Sequence, residues 1–278
     1  MGGQTTRPTL VMGILNVTPD SFSDGGRWTD VDAAVAQGLR LAADGAALVD
    51  VGGESTRPGA ARVAPSEERE RVIPVIEALT EAGVATSIDT MHADTAVAAV
   101  SAGASVVNDV SGGLADARMA PAVAELGCDY VAMHWRAHSH EMDAADVYED
   151  IVREVGDELA ARVDALTRAG VDESRVILDP GLGFAKVTDS NWPLLADLDW
   201  ARGHRVLIGA SRKRFLGAAI AAVGGDGADP SAREHATTAV TTASALRGVW
   251  GVRVHDAAAA RDAIAVVSAL TNTSHRAR

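Results

Sequence analysis

Side chains able to bind or react with a polar substrate stand directly behind short apolar runs along this chain. At least one such residue follows each of eight runs, and one more lies within the last run. In chain order these residues are Asn16, Glu54, Asp89, Asn108, His134, Asp179, Lys213, Arg253 and His255. The two aspartates offer carboxylate acceptors, and Asn108 offers an amide that both donates and accepts. Together these three suit a flat heterocycle that carries several N–H groups and ring nitrogens.

The cationic members of this set point to an anionic group. Two of them, Lys213 and His255, follow the last two apolar runs, and Arg253 lies within the last run. In eight-stranded α/β barrels, the loops after the seventh and eighth strands commonly bind phosphate. Asn16 offers an oxygen ligand for a hard cation that bridges phosphates. The pattern predicts one pocket with an acidic side for the ring and a basic side for the departing anion.

The apolar runs themselves predict the fold. They are short and continuous rather than alternating, which is typical of strands buried on both faces of a parallel sheet. The runs are Leu10–Leu15, Ala47–Val51, Val84–Ile88, Ser105–Val107, Tyr130–Met133, Val176–Leu178, Val206–Ile208 and Val252–Val254. Eight strand–helix repeats favour an α/β fold, a single (β/α)8 TIM-type barrel whose strand ends converge on one mouth. The alternative, an open doubly wound sheet, is disfavoured because no G-x-G-x-x-G follows any run.

Helix signals fill the intervals between the runs. A helix is expected from Ser66 to about Ala82 with Pro74 inside it, and another from about Val147 to Ala169. The stretch Gly224–Pro230 is expected to be a loop between the seventh strand and its helix. Residues 1–278 are expected to form one domain, with flexible ends at 1–8 and 272–278.

Composition limits the classes of partner. The formal net charge of −13 argues against nucleic acid or an anionic membrane as a partner. Cys128 is the single cysteine, which excludes an intrachain disulfide. The first residues contain no apolar segment typical of a signal peptide, so a cytoplasmic location is expected.

Seven segments, in order, resemble the motifs of the dihydropteroate synthase family. They are Met12–Gly26, Asp50–Gly59, Ser87–Thr90, Asn108–Gly113, Asp179–Phe184, Gly209–Phe215 and Arg253–Asp256. The resemblance covers nearly the whole chain, and the ordered set is far more specific than any one segment.

The resemblance implies an enzyme that joins a dihydropterin diphosphate to p-aminobenzoate. The catalytic residues it implies are Asp89, Asp179, Lys213, Arg253 and His255. The pterin is expected on Asp89, Asn108, Asp179 and Lys213, and the diphosphate on Arg253 and His255. Mg²⁺ is expected on Asn16, and the p-aminobenzoate side is expected to include Phe22, Thr56, Arg57, Pro58 and Phe184. The family also implies a homodimer, for which the helix near Thr237–Leu246 is a candidate face.

Other interpretations remain open at this point. A pterin-dependent methyltransferase domain shares the barrel and the carboxylates, and an inactive paralogue would bind pterin without turnover. For Asp109 and Asp256, helix capping and support of the site are equally good interpretations. His92 and His134 are expected to be ordinary polar residues rather than metal ligands.

Overall fold

A computed structural model describes residues 8–18, 27–54, 63–136, 146–186 and 188–276. Eight parallel strands close into a barrel in chain order, each strand pairing with the next and β8 with β1. The strands are β1 Leu10–Asn16, β2 Leu48–Gly52, β3 Thr86–Asp89, β4 Val106–Asp109, β5 Asp129–Met133, β6 Val176–Asp179, β7 Arg205–Ile208 and β8 Gly251–Val254. The (β/α)8 barrel is therefore confirmed, with a strand at each of the eight predicted runs.

The barrel interior is filled in layers because side chains alternate across each strand. One layer is apolar and buried, and it consists of Met12, Leu48, Val106, Val131, Ile177 and Leu207. Two residues further along four of these strands, the same inward face carries Asp50, Asn108, Met133 and Asp179. The apolar layer thus forms a floor, and polar side chains stand on it toward the carboxyl ends of the strands.

Nine helices surround the barrel in the described ranges. They are α1 Arg27–Ala43, α2 Pro65–Glu81, α3 Ala93–Ser101, α4 Met119–Leu126, α5 Ile151–Arg168, α6 Trp192–Ala196, α7 Arg214–Ala222, α8 Glu234–Leu246 and α9 Ala257–Arg276. A larger apolar core lies between these helices and the outer faces of the strands. Within this described part, no helix is long and apolar enough to cross a membrane.

Two helix boundaries differ from the predicted ones. The helix expected from about Val147 begins at Ile151, because the Asp150 carboxylate accepts from the amide of Arg153 at 3.1 Å and caps it. At the carboxyl end of the chain, α9 continues to Arg276, so the part of the expected flexible end that is described is helical.

The predicted position of the Gly224–Pro230 loop is wrong. The loop lies between α7 and α8, since α7 already follows β7 directly. The buried Arg233 holds the loop in place, donating from Nε to the carbonyl of Gly227 at 2.7 Å and from Nη2 to that of Ala228 at 2.6 Å. These tertiary contacts are invisible in a local pattern of glycine and proline.

Candidate active site

Strand register places three of the predicted site residues, Asn16, Asp89 and Asn108, in one row at the barrel mouth, with Gly52 between the first two. Asn16 is opposite Gly52, Gly52 is opposite Asp89, and Asp89 is opposite Asn108. A Cβ at position 52 would lie in van der Waals contact with the Cβ of Asp89, at 3.4 Å. Because position 52 is glycine, no side chain stands in this row between Asn16 and Asp89.

Asp50, two residues before Gly52 on β2, links Asn108 and Asp89 of this row. Its fully buried carboxylate accepts from Asn108 Nδ2 at 2.9 Å, from the hydroxyl of Ser87, and from Arg253 Nε at 2.6 Å. Arg253 extends further, and its Nη2 donates to Asp89 Oδ2 at 2.8 Å. Strands β2, β3, β4 and β8 are thus joined by one network of charged and neutral hydrogen bonds.

This network corrects the expected separation of charge. Arg253 was expected on a basic side, away from the carboxylates, but its guanidinium lies between Asp50 and Asp89. The physical reason is that a carboxylate as deeply buried as Asp50 requires a charged partner. Two of the five N–H donors of Arg253 are used in these bonds, which leaves others for an anion.

The surroundings of Asp89, which include one guanidinium and a second carboxylate, shift the pKa of its carboxyl group. Burial raises the pKa of Asp89 to about 7, Arg253 opposes that rise, and the negative charge of Asp50 adds to it. The Asp89 carboxyl group therefore titrates close to neutral pH. A cationic group entering the mouth would favour the ionised form.

Asp179 stands on the other side of the mouth, at the end of β6. Its Oδ1 accepts from the amide of Gly181 at 2.7 Å. Gly209, at the end of β7, leaves room for it, because a Cβ there would lie 3.4 Å from Asp179 Oδ2. Burial raises the pKa of Asp179, and the charge of Lys213 opposes that rise.

Lys213 reaches toward Asp179 from the turn after β7. Its Nζ donates to the carbonyl of Leu182 and lies 4.5 Å from the centre of the Phe184 ring. Burial lowers the pKa of Lys213 to about 8, with Asp179 opposing the decrease. Arg212, just before it, has a φ of +58°, a left-handed conformation that turns the chain and that few non-glycine residues adopt.

His255 and Ser211 connect the turns that follow β7 and β8. The Ser211 hydroxyl lies 2.9 Å from His255 Nδ1, and it also accepts from the amide of His255 at 3.2 Å. Whether the hydroxyl or Nδ1 donates depends on the tautomer of the imidazole, and in either case the contact fixes the ring just after β8.

The structure describes eight of the twelve predicted site residues. It brings Asp89, Asn108, Asp179, Lys213, Arg253 and His255 to one mouth, with Asn16 at its β1 edge and Phe184 against Lys213. The remaining four predicted residues, Phe22, Thr56, Arg57 and Pro58, lie outside the described residues.

Sequence and structure comparisons identify the family. The model of the family described as pterin binding enzyme matches residues 12–255. A dihydropteroate synthase of Mycobacterium leprae (strain TN) is 53% identical over 265 residues, covering 94% of this chain and 93% of that protein. The chain belongs to the dihydropteroate synthases.

Solved structures of the same family agree with this membership. The Xanthomonas albilineans dihydropteroate synthase with 4-aminobenzoic acid has a TM-score of 0.87 and 44% identity, covering 96% of this chain and 95% of that chain. The same enzyme in complex with 7,8-dihydropteroate gives a TM-score of 0.85, 42% identity and the same coverage. Dihydropteroate synthases are transferases of a pterinylmethyl group, and the chain is an enzyme of that class.

Sequence reasoning missed Asp50 as a member of the dihydropteroate synthase site. A signal was present, because Asp50 interrupts the otherwise apolar Leu48–Val51 segment of a strand buried on both faces. A carboxylate in such a strand needs partners, which Ser87, Asn108 and Arg253 supply.

Two aspartates with open interpretations prove to be structural. Asp109 is fully buried and accepts from the amides of Ser111 at 2.7 Å and Gly113 at 2.9 Å and from the Tyr130 hydroxyl at 2.8 Å. Asp256 accepts from the amide of Ala259 at 2.9 Å, which caps the start of α9. Both carboxylates therefore accept from backbone amides that follow their strands.

Proposed function

We propose that the protein condenses 6-hydroxymethyl-7,8-dihydropterin diphosphate with p-aminobenzoate, giving 7,8-dihydropteroate and diphosphate. The observation that carries the proposal is the hydrogen-bonded network of Asp50, Asp89, Asn108 and Arg253 at the barrel mouth, with Asp179 and Lys213 facing it. The two Xanthomonas albilineans structures, one with 4-aminobenzoic acid and one with dihydropteroate, support the choice of substrates.

The pterin side of the proposal rests on acceptors and donors that are buried and fixed. The buried carboxylates of Asp89 and Asp179 offer acceptors to ring and exocyclic N–H groups, and Asn108 is held by Asp50 in a single orientation. A flat heterocycle placed between β3, β4 and β6 would satisfy this set. The apolar floor below it would exclude water from the ring face.

In the reaction, the bond between the pterin methylene and the diphosphate oxygen breaks, and its electron pair leaves with diphosphate. The electron-rich dihydropterin shares the positive charge that develops on the methylene carbon. Carboxylates such as Asp89 and Asp179 favour that cationic state over the neutral ground state. The arylamine nitrogen then forms the new C–N bond and loses a proton, and its own nucleophilicity makes a strong base unnecessary.

The leaving diphosphate would be received by cationic donors of the same mouth. Arg253 retains N–H donors beyond those given to Asp50 and Asp89, and the imidazole of His255 lies just after β8 at the same mouth. Lys213 supplies a second positive charge from the turn after β7. Donors aimed at developing negative charge stabilise the transition state more than the ground state.

Mg²⁺ belongs to the proposal as a companion of the diphosphate. In the described part of the chain, no group of three or more His, Cys, Asp or Glu could hold a metal ion. Asn16, at the β1 edge of the mouth, is a single oxygen ligand, which suits an ion that keeps several waters and binds substrate phosphates. When bound there, Mg²⁺ would neutralise charge on the diphosphate.

A homodimer and a cytoplasmic location complete the proposal. Apolar side chains are exposed on the outer helices α8 and α9, namely Leu246, Val266 and Leu270 at 57%, 59% and 59%. Covering them with a second copy would remove apolar surface from water. Size-exclusion chromatography with light scattering of the wild-type protein and of Leu270→Glu tests this, since only the wild type should elute as a dimer.

The cytoplasmic location is supported by the cysteine content, because a chain with a single, buried cysteine fits a reducing compartment.

The activity test is direct. Purified protein with Mg²⁺ should release diphosphate from the dihydropterin diphosphate together with dihydropteroate, and only when p-aminobenzoate is present. Binding of the pterin without any product, by protein that is folded by circular dichroism, would favour an inactive paralogue. Product formed with a methyl donor instead of p-aminobenzoate would favour the methyltransferase alternative.

A further inference from the structure

The use of lysine in this chain is selective. Lys186 and Lys213 are the only lysines among 25 lysine and arginine residues. Both contact the segment Gly181–Lys186 that follows β6, which we call the β6 loop. Lys213 belongs to the proposed catalytic set, whereas Lys186 has no part in it.

Lys186 is buried, with 6% of its surface exposed, and its ammonium group is fully matched. The Nζ atom lies 3.0 Å from His134 Nδ1, 3.2 Å from the carbonyl oxygen of Gly181 and 3.0 Å from that of Phe184. An ammonium has three N–H donors, and here three acceptors meet them. Two of the acceptors, Gly181 and Phe184, belong to the β6 loop, and His134 directly follows β5, so the side chain joins the loop to the end of β5.

The contact with Lys186 fixes the state of His134. Burial and the charge of Lys186 lower the pKa of His134 to about 4, so its ring is neutral and Nδ1 accepts. The ring proton is therefore on Nε2, which donates to Glu158 Oε2 at 2.9 Å. Arg136 in turn donates to Glu158 Oε1 from Nε at 3.1 Å. The contacts from Arg136 through Glu158 and His134 to Lys186 are therefore continuous.

The β6 loop controls three of the predicted site residues. Its Gly181 amide donates to Asp179, its Leu182 carbonyl accepts from Lys213, and its Phe184 ring lies beneath the Lys213 ammonium. A shift of this loop would therefore move a pterin acceptor, a cation and an aromatic surface together.

The loop also has backbone strain that needs support. Ala185 has a φ of +48°, which is unfavourable for a residue with a Cβ. Such conformations persist only where surrounding contacts enforce them. Lys186 supplies contacts on one side, and on the other the Tyr148 hydroxyl donates to the Ala185 carbonyl at 3.2 Å.

We infer that Lys186 is a positioning residue, whose ammonium, oriented through His134 and Glu158, holds the β6 loop so that Asp179, Lys213 and Phe184 are placed for reaction. The inference deepens the proposed function and rests on it. A lysine suits this role in a chain that otherwise uses arginine, because a compact ammonium can meet three converging acceptors. The planar guanidinium cannot direct its fork of donors in that way.

Two substitutions of Lys186 test the role. In Lys186→Met and also in Lys186→Arg, we expect kcat/KM to fall at least tenfold per folded molecule, with a rise in KM for p-aminobenzoate. The matched control is Leu79→Ala, which removes a fully buried side chain of α2 and lowers stability without touching the loop. If Lys186→Met loses no more turnover per folded molecule than Leu79→Ala does, or if Lys186→Arg behaves as wild type, the inference is wrong.

Substitutions of His134 test the orienting contact. In His134→Asn, an amide oxygen can take the place of Nδ1 as acceptor, so most of kcat/KM should remain. In His134→Leu no acceptor remains, and the loss should match that of Lys186→Met. Equal behaviour of the two His134 variants would contradict a role for the Nδ1 contact.

A readout independent of turnover uses the scarcity of lysine. Protein carrying ¹³C at lysine Cε should give two side-chain signals, one of which disappears in Lys186→Met. Burial lowers the pKa of Lys186 to about 7, so that signal should titrate near neutral pH, and its loss should shift the remaining signal from Lys213. A Lys213 signal unchanged by the loss of Lys186 overturns the inference. Wild-type protein that passes this test but forms no dihydropteroate would instead refute the proposed function.

Discussion

The guanidinium of Arg253 donates to the carboxylate of Asp89 across 2.8 Å, so a residue expected to bind the leaving anion also orients an acid expected to bind the pterin. Asp50 receives the same guanidinium at 2.6 Å. The two halves of the site are therefore coupled before any substrate arrives. Binding of diphosphate by Arg253 would weaken its hold on Asp89 at the moment when the pterin acquires positive charge.

The first prediction concerns removal of this cation. Arg253→Met should reduce kcat/KM by 10² or more, because a preorganised donor to the leaving group is lost. It should also lower the free energy of unfolding by about 3–5 kcal/mol, since two buried carboxylates lose their charged partner. Urea denaturation and steady-state kinetics measure the two effects separately.

Arg205 provides the matched control at the opposite end of the barrel. Its guanidinium forms a bidentate pair with Asp129 at 2.8 and 3.0 Å, at the amino-terminal ends of β7 and β5. Because both partners are partly exposed, Arg205→Met should cost about 0–1 kcal/mol and leave kcat/KM unchanged. Similar stability losses in the two variants would mean that the Arg253 network contributes no more than a surface pair.

The second prediction is a narrow pH optimum for kcat/KM. Asp89, with a pKa of about 7, must lose its proton to stabilise a cation, and Lys213, with a pKa of about 8, must keep its proton to stabilise an anion. Activity should fall on both sides of this interval. Lys186, with a pKa of about 7, must also keep its proton to hold the β6 loop, so it contributes to the basic limb as well. In Lys213→Arg only the contribution of Lys213 should disappear, because a guanidinium does not titrate there. A basic limb that is unchanged in both Lys213→Arg and Lys186→Met would belong to neither lysine.

Much of the fold follows from sequence because parallel barrel strands are buried on both faces. Val176–Leu178, for example, is a continuous apolar run, and β6 occupies it with one added residue, Asp179. Connections were harder to predict, as the Gly224–Pro230 loop shows. The loop follows α7, and its conformation is held by the buried side chain of Arg233, which comes after it in sequence.

The site could be predicted as a set of residues but not as a set of contacts. Strand ends gave Asp89, Asn108 and Asp179 because convergence at one mouth is a property of the barrel. Which cation meets which carboxylate depends on side-chain reach within the barrel. Arg253 comes from a position in β8 opposite Met12, at the level of the apolar floor, and extends upward to Asp89. No spacing in the sequence specifies that contact.

The third prediction concerns the pH dependence of stability. Burial raises the pKa of Asp89 from 3.8 in the unfolded chain to about 7 in the folded protein. Between these values the folded state keeps a proton that the unfolded state has lost, so the contribution of Asp89 to stability falls as pH rises from about 4 to 7. Above pH 7 the contribution is constant. Asp89→Asn removes this pH-dependent contribution. The stability of the variant relative to wild type should therefore increase as pH rises through this interval, by about 1.4 kcal/mol for each pH unit. A stability difference that is the same at pH 4.5 and pH 7.5 would contradict a raised pKa.

The fourth prediction separates the role of Mg²⁺ from folding. Because no cluster of metal-ligating side chains exists among the described residues, chelation should abolish turnover while leaving the melting temperature unchanged. Asn16→Ala should raise the Mg²⁺ concentration needed for half-maximal activity and leave pterin binding measured without diphosphate intact. Asn191→Ala serves as a contrast, since that buried amide accepts from the Gly183 backbone at 2.7 Å and supports the β6 loop, not the β1 edge where Asn16 lies. It should lower stability without changing the Mg²⁺ requirement. A melting temperature that falls on chelation would mean that the ion is structural, and it would remove the reason for assigning it to the diphosphate.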